Sequence, residues 1–307
     1  MKNILALDTG GSKTRAALYS PNGEVLRESI FRGFGLPVDE PYAQLPDLTA
    51  ELLAYSDGGV SAVCVNLGGK NEEQLRNVIK DTFPDADIVI IRESAGVIMN
   101  EIRVSEHADA ILLAGTGAIA LAEGPRGYFV CDGWGAELGD SGSGYWIGRE
   151  ALRTALRQLE DGEELSNLTR GITGLTSAFC PKAAADSFVD VRDAVRARLR
   201  PLDRAGIARF CKICAEAARE GDEFAAEIFT RAGGLLAETC IRALDRVGAR
   251  EDASVLVIGG LTGCAGLWRR GFDEKLAHIR PRTKWRAAIM ELTKGAYNYY
   301  RNHIEGA

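Results

Sequence analysis

The chain has 307 residues, enough for two domains with cores of their own. Hydrophobic residues make up 46% and charged residues 26%, no apolar run approaches the roughly 20 residues of a membrane span, and the start "MKNILALD" lacks the pattern of a signal peptide. A net charge of −6 with no long basic run argues against nucleic acid as the main partner, and the expectation is a cytoplasmic protein with no membrane partner.

In chain order, Ile4 to Leu7 form a short apolar run, as in a buried strand. Asp8 and a "TGGS" turn follow, then "KTRAALYS", a tight "PNG" turn and "EVLRESI". This predicts a three-stranded meander with glycines at its first corner. "VSAVCVNLGG", Val60 to Gly69, reads as a buried strand, and "NEEQLRNVIKDTF" as a helix capped by Asn71. "ADIVIIRESAGVIMNEI" reads as a strand, then Glu93 and Ser94, then a helix. Strands alternating with helices imply a sheet with a parallel part.

From Ala110 the first unit returns. "AILLAGTGAIALAEGPRGYFV" is again strand, glycine turn, strand, tight turn and strand, about a hundred residues on. In both copies the corner glycines expose N–H groups suited to an anion. After Gly148 the chain reads as mostly helical to about Gly248. "SVLVIGGLTGCAGLW" then gives a strand, a double glycine and a helix start, a second place for a phosphate or ribose. The final "WRAAIMELTKGAYNYYRNHI" reads as one helix.

Between the second meander and the helices lies "GWGAELGDSGSGYWIG", Gly133 to Gly148, with six glycines and two tryptophans. Glycine is costly to order and packs nothing, so this backbone must bend sharply or approach something closely. Seven scattered cysteines suggest reduced thiols, and the Cys211–Cys214 pair sits within a helical pattern as part of one apolar face. His107, His278 and His303 are far apart, with no metal-ligand spacing.

In order, these pieces resemble the actin-like ATPase superfamily of sugar kinases and heat-shock chaperone ATPases. "DTGGSKTRAAL" is similar to its first phosphate loop, "AGTGAIA" to its second and "VLVIGGLTG" to its adenosine motif. "GWGAELGDSGSGYWIGREAL" resembles the branch of N-acetylglucosamine kinases and BadF/BadG-type activator ATPases, as does "AREGDEFAAEIFTRAGGLLAE". The resemblance implies an α/β fold of two similar ribonuclease H-like domains with a nucleotide cleft between them. It implies a first domain of residues 1–109 plus 291–307 and a second of 110–290.

It also implies roles. ATP phosphates would meet Thr9, Gly10, Gly11, Ser12 and Lys13 on one side, and Gly115, Thr116 and Gly117 on the other. Gly259 and Gly260 would meet the nucleoside. Asp8 would hold Mg2+ through water, an ion that keeps several waters and one or two carboxylates. Glu93 takes the place of the branch's aspartate base, and Gly68, Gly69, Asp140, Ser141 and Gly142 would contact a sugar. The tryptophans of the glycine-rich stretch would anchor it in the core. The family's G-T-G-S-N is G-T-G-A-I here, so Ala118 and Ile119 lack both polar side chains, and Ser141 replaces a glutamate. The reading is an ATP-dependent kinase for an amino sugar, with a homodimer as the expected assembly. A partner-activating ATPase and a degenerate nucleotide or sugar binder are the alternatives.

Overall fold

Two five-stranded sheets carry one strand order twice in the computed structural model. It describes residues 3–9, 13–32, 59–67, 72–91, 94–162, 164–175, 185–199 and 202–305, with single positions at 45, 47, 50 and 54. The chain divides into one unit of Met1–His107 with Met290–Ala307 and a second of Ala108–Ile289.

In the first unit, β1 (Asn3–Thr9), β2 (Lys13–Tyr19) and β3 (Val25–Arg32) form the antiparallel meander expected from the sequence. β4 (Val60–Leu67) lies parallel to β1, and β5 (Asp87–Ile91) parallel to β4, giving the order β3-β2-β1-β4-β5. Central β1 is buried on both faces, which is why it reads as an unbroken apolar run. Helices α1 (Glu72–Thr82) and α2 (Ser94–Ser105) complete this part.

The second unit repeats the plan. β6 (Ala110–Ala114), β7 (Ala118–Gly124) and β8 (Gly127–Asp132) form a meander. β9 (Ser254–Ile258) is parallel to β6 and β10 (Lys284–Ala287) to β9, so the order β8-β7-β6-β9-β10 matches that of the first sheet. Between β8 and β9 the described residues form α3 (Gly144–Asp161), α4 (Asn167–Thr173), α5 (Ala185–Leu199), α6 (Arg204–Arg219) and α7 (Glu223–Val247). A short 3-10 turn (Gly260–Cys264) and α8 (Ala265–Ile279) follow β9. Helices α7 and α8 pack backbone to backbone: a Cβ on Gly233 would lie 1.9 Å from the Trp268 carbonyl oxygen, so any side chain there would force the helices apart.

The C-terminal segment departs from the one-helix reading. Trp285 and Arg286 belong to β10, and the helix α9 begins only at Leu292 (Leu292–His303). Sequence periodicity merged an edge strand with the helix after it. α9 packs on α2, β1 and β4 of the first unit, where Tyr297 stacks on Tyr19 with ring centroids 4.7 Å apart. Cys211 and Cys214 are buried on α6, and burial pushes the Cys211 thiol up to about 12, as a packed helix face requires. Among the described residues no helix is long and apolar enough to cross a membrane.

Candidate active site

The corner between β6 and β7, residues 115–117, is folded onto the start of α3. The Gly115 N–H donates to the Gly117 carbonyl at 2.8 Å. The carbonyls of Gly115 and Thr116 accept the N–H groups of Gly144, at 2.8 Å, and Tyr145, at 3.1 Å. Those are two of the donors a helix start leaves unsatisfied; the Ser143 hydroxyl takes that of Trp146 at 3.2 Å. A trans peptide points its C=O and N–H in opposite directions. Tying these two carbonyls to α3 therefore turns the N–H groups of Thr116 and Gly117 away from the helix, as an anion cradle needs. A Cβ on Gly115 would meet nothing within 4 Å.

The glycine-rich stretch is organised by Asp132, the last residue of β8. Its carboxylate accepts N–H groups from Gly133 at 2.8 Å, Asp140 at 2.7 Å and Ser141 at 3.1 Å. Both Asp132 (φ +66°) and Asp140 (φ +56°) have left-handed backbone, which Asp tolerates better than most residues. Gly142 (φ +76°) leaves no room for a side chain, since a Cβ there would lie 2.5 Å from the Ala232 carbonyl of α7. Gly142, Gly144 and Gly148 each approach backbone of another segment, whereas Gly133 and Gly139 approach side chains and Gly135 faces open space.

Asp140 is the buried carboxylate of this loop, 3% exposed. One of its oxygens accepts the Ala118 N–H at 3.2 Å, and the other accepts from Arg204 Nη2. Burial pushes its carboxyl above the usual Asp value, with the nearby Asp132 charge adding to this. The Ala118 N–H and the Arg204 guanidinium act in the opposite direction. The tryptophans do not share the anchoring role expected of them. Trp146 packs against the core beneath Arg231, 5.3 Å from its ring, but Trp134 is 76% exposed. The loop is held by hydrogen bonds to Asp132, which leaves its ring free of that task.

At the ends of the parallel strands β6 and β9, the two glycine turns of the second unit come together. A Cβ on Gly259 (φ +101°) would be 2.6 Å from the Ala114 carbonyl, whereas one on Gly260 would meet nothing within 4 Å. Ligands of open α/β sheets collect at such carboxyl ends.

In the first unit, Asp8 stands near the end of β1, opposite Asn66 of β4. Asn66 Nδ2 donates to Asp8 Oδ1 at 2.6 Å, and the Thr9 hydroxyl donates to the Asn66 carbonyl at 2.8 Å. The Thr9 proton is therefore engaged within the sheet. Asn66 Oδ1 is buried and, among the described residues, without a hydrogen-bond partner. Lys13 opens β2. Gly10, Gly11, Ser12, Gly68, Gly69, Asn71 and Glu93 lie outside the described residues, although β5 ends at Ile91 and α2 begins at Ser94.

Three of the residues that hold these side chains, one in the first unit and two in the second, carry no motif signal. Asp132 reads as a strand end, Asn66 as part of an apolar strand, and Arg204 as a helix surface charge 64 positions from its partner.

The sequence profile of the BadF/BadG/BcrA/BcrD ATPase family matches residues 5–277. The chain belongs to that family. It is 26% identical over 172 residues to an N-acetylmuramic acid/N-acetylglucosamine kinase of Clostridium acetobutylicum, covering 52% of this chain and 55% of that protein. It is 25% identical over 187 residues to an N-acetyl-D-glucosamine kinase of Dictyostelium discoideum, covering 54% and 58%. The chain thus spans little more than half the length of the curated relatives it matches. A solved structure from Chromobacterium violaceum, described as a candidate N-acetylglucosamine kinase, superposes with a TM-score of 0.66 at 22% identity, over 96% of this chain and 98% of that one. A ROK family glucokinase from Streptomyces griseus superposes at 0.58 with 16% identity, over 96% and 97%. These likenesses establish the actin-like ATPase fold of two sheets of like topology.

Proposed function

We propose that the chain is an ATP-dependent sugar kinase that phosphorylates a hydroxyl of an amino sugar of the N-acetylglucosamine type. The observation that carries this reading is the corner at 115–117. The carbonyls of Gly115 and Thr116 are fixed by α3, which by the trans geometry of the peptide turns the Thr116 and Gly117 N–H groups the other way, and Gly115 has open space beside it. Phosphoryl transfer asks mainly for positioning and charge neutralisation, and a tethered backbone cradle supplies both. Thr116 and Gly117 bind phosphate oxygens through backbone, and Gly259 and Gly260 border the nucleoside. Asp140, with Ser141 and Gly142, contacts the acceptor. Glu93 serves as the base by its place in the sequence. The names of the two curated relatives support the acceptor class.

The residues around Asp8 fit a hard cation. A carboxylate fixed by Asn66 and a buried amide oxygen without a partner offer the oxygen donors that Mg2+ takes directly or through water. Bound there, the ion supplies charge neutralisation for the transferred phosphoryl group. Asn66 orients Asp8, and β1 and β4 keep the pair in register.

The partner-activating alternative draws no support from Cys131, the cysteine nearest the glycine-rich stretch. It is buried in the core of the second unit, and burial pushes its thiol up, which does not suit it to metal ligation, where the thiolate is the ligand.

The test is a screen of N-acetylglucosamine, glucosamine and N-acetylmuramic acid with Mg-ATP, with phosphosugar detected by mass spectrometry. Stoichiometric phosphosugar from one of them is the expected result. ATP hydrolysis with no phosphosugar from any sugar overturns the kinase reading.

A further inference from the structure

We propose that Arg204 is a positioning residue for the acceptor site: by pairing with Asp140 it holds that carboxylate as an anion in one orientation, so that acceptor recognition depends on the pair. The inference rests on the reading of Asp140 as an acceptor contact given above.

The geometry behind it is a chain of fixed contacts. Asp203 caps α6, its side chain accepting the Gly206 N–H at 2.7 Å, and Arg204 is the first residue of that helix. α6 crosses α3 at Gly148, where a Cβ would lie 2.1 Å from the Ile207 carbonyl. α3 in turn holds residues 115–117 through Gly144 and Tyr145. Arg204 is thus carried on the same frame as the phosphate corner.

Its position also breaks a local rule. A cation in the first turn of a helix opposes the helix dipole. Here that cost is offset by the buried carboxylate of another segment, which the side chain reaches. Gly117 shows how closely the pair is fitted: a Cβ there would lie 2.9 Å from Arg204 Nη2 and from both carboxylate oxygens of Asp140. The Asp140 side chain is 5% exposed and that of Arg204 48%, so the guanidinium links the buried carboxylate to solvent with N–H donors to spare.

Among the described residues, three groups face Asp140: the Ala118 N–H, the Arg204 guanidinium and the Asp132 carboxylate. Without Arg204, burial and the Asp132 charge both favour a proton on Asp140, and only the Ala118 N–H opposes it. A protonated Asp140 would offer a hydrogen to the acceptor in place of a charged acceptor oxygen.

The experiment uses full-length protein labelled with carboxyl-13C aspartate, the Asp140 resonance being assigned by its loss in Asp140→Asn. Wild type, Arg204→Ala, Arg204→Gln and Arg204→Lys are titrated. N-acetylglucosamine and Mg-ATP affinities are measured by calorimetry at pH 6 and pH 8. In Arg204→Ala and Arg204→Gln the Asp140 titration should move up by about one unit or more. N-acetylglucosamine affinity should fall about tenfold or more at pH 6 and less at pH 8, following that titration. Lysine should recover part of both, and Mg-ATP affinity should stay within about twofold, which also reports an intact fold. An unmoved Asp140 titration in both neutral variants overturns the proposal. So does a loss of sugar affinity that is the same at both pH values and the same in Arg204→Lys, since that is the mark of a merely structural contact. If wild type binds Mg-ATP but no sugar, the acceptor reading fails, and the titration still decides whether Arg204 holds Asp140 as an anion.

Discussion

The Gly144 N–H donates to the Gly115 carbonyl across 2.8 Å, joining the start of α3 to the turn between β6 and β7. This bond fixes the direction of the Gly115–Thr116 peptide, while the Cα of Gly115 faces open space. The two facts separate folding from binding at one residue. Gly115→Val should fold with a melting temperature within a few degrees of wild type, because its side chain meets no protein atom nearby. Mg-ATP binding should be lost, because the side chain fills the place of a phosphate oxygen. Calorimetry beside a thermal melt checks both, and undiminished binding would remove this corner from the nucleotide site.

Asp132 makes a second separation possible. Its carboxylate satisfies three loop N–H groups, from Gly133, Asp140 and Ser141. Asp132→Ala leaves them without a partner and puts alanine at φ +66°, a conformation it adopts poorly. The expected cost is about 1–3 kcal/mol in urea unfolding, the range for leaving polar groups unsatisfied. Asp132→Asn keeps one acceptor oxygen and tolerates the backbone, so it should cost less. Equal stability of Asp132→Ala and wild type would show that the loop is held by something else.

The sequence made the repeated meander legible because each copy has a buried central strand and a glycine corner, and both signals are local. The position of Asp140 within the glycine loop was legible in the same way. What organises the loop was not. Asp132 acts through backbone N–H groups one, eight and nine residues ahead, and no side-chain pattern marks that. Arg204 reaches Asp140 from a helix far along the chain, a contact that only the crossing of α6 over α3 creates. Trp134 misled for a related reason. An indole among glycines suggests an anchor, yet the loop is held by hydrogen bonds and the ring is left in solvent. The last helix was read too long because β10 is a short edge strand whose residues also fit a helical period.

Asp8 should matter for turnover and little for folding. Asp8→Asn keeps an oxygen that can accept from Asn66 Nδ2 and removes the charge. The melting temperature should change by only a few degrees, and turnover should fall about 10²–10³-fold, the range for losing one charge-stabilising group at a reacting centre. Asn66→Ala should keep more activity but need more Mg2+ for half-maximal rate, because the carboxylate survives without its positioning contact. Turnover of Asp8→Asn that equals wild type with an unchanged Mg2+ concentration for half-maximal rate would contradict a role in metal binding.

The carboxyl of Asp140 gives a prediction with a defined sign. Burial, its largest influence, raises it above the ordinary Asp value of 3.8, and the Ala118 N–H and Arg204 offset only part of this. A group raised in this way holds its proton more tightly in the folded chain than in the unfolded one. Its contribution to stability is therefore full below the unfolded value and is lost as pH rises through the folded value. Asp140→Asn has no proton to lose. Its stability relative to wild type should therefore improve as pH rises from about 4 through that window and level off above it, whatever constant offset the lost pairing with Arg204 adds. The acceptor site has the opposite preference, because its anion forms only above the same window. In wild type, kcat/KM for N-acetylglucosamine should fall on the acid side at a pH above the ordinary Asp range, while nucleotide affinity stays level. Urea unfolding of both proteins at several pH values, with the acceptor pH profile of wild type, tests the two together. A stability difference that does not change with pH would show that Asp140 titrates alike in the folded and unfolded chains, and the acid limb of the rate would then belong to another group.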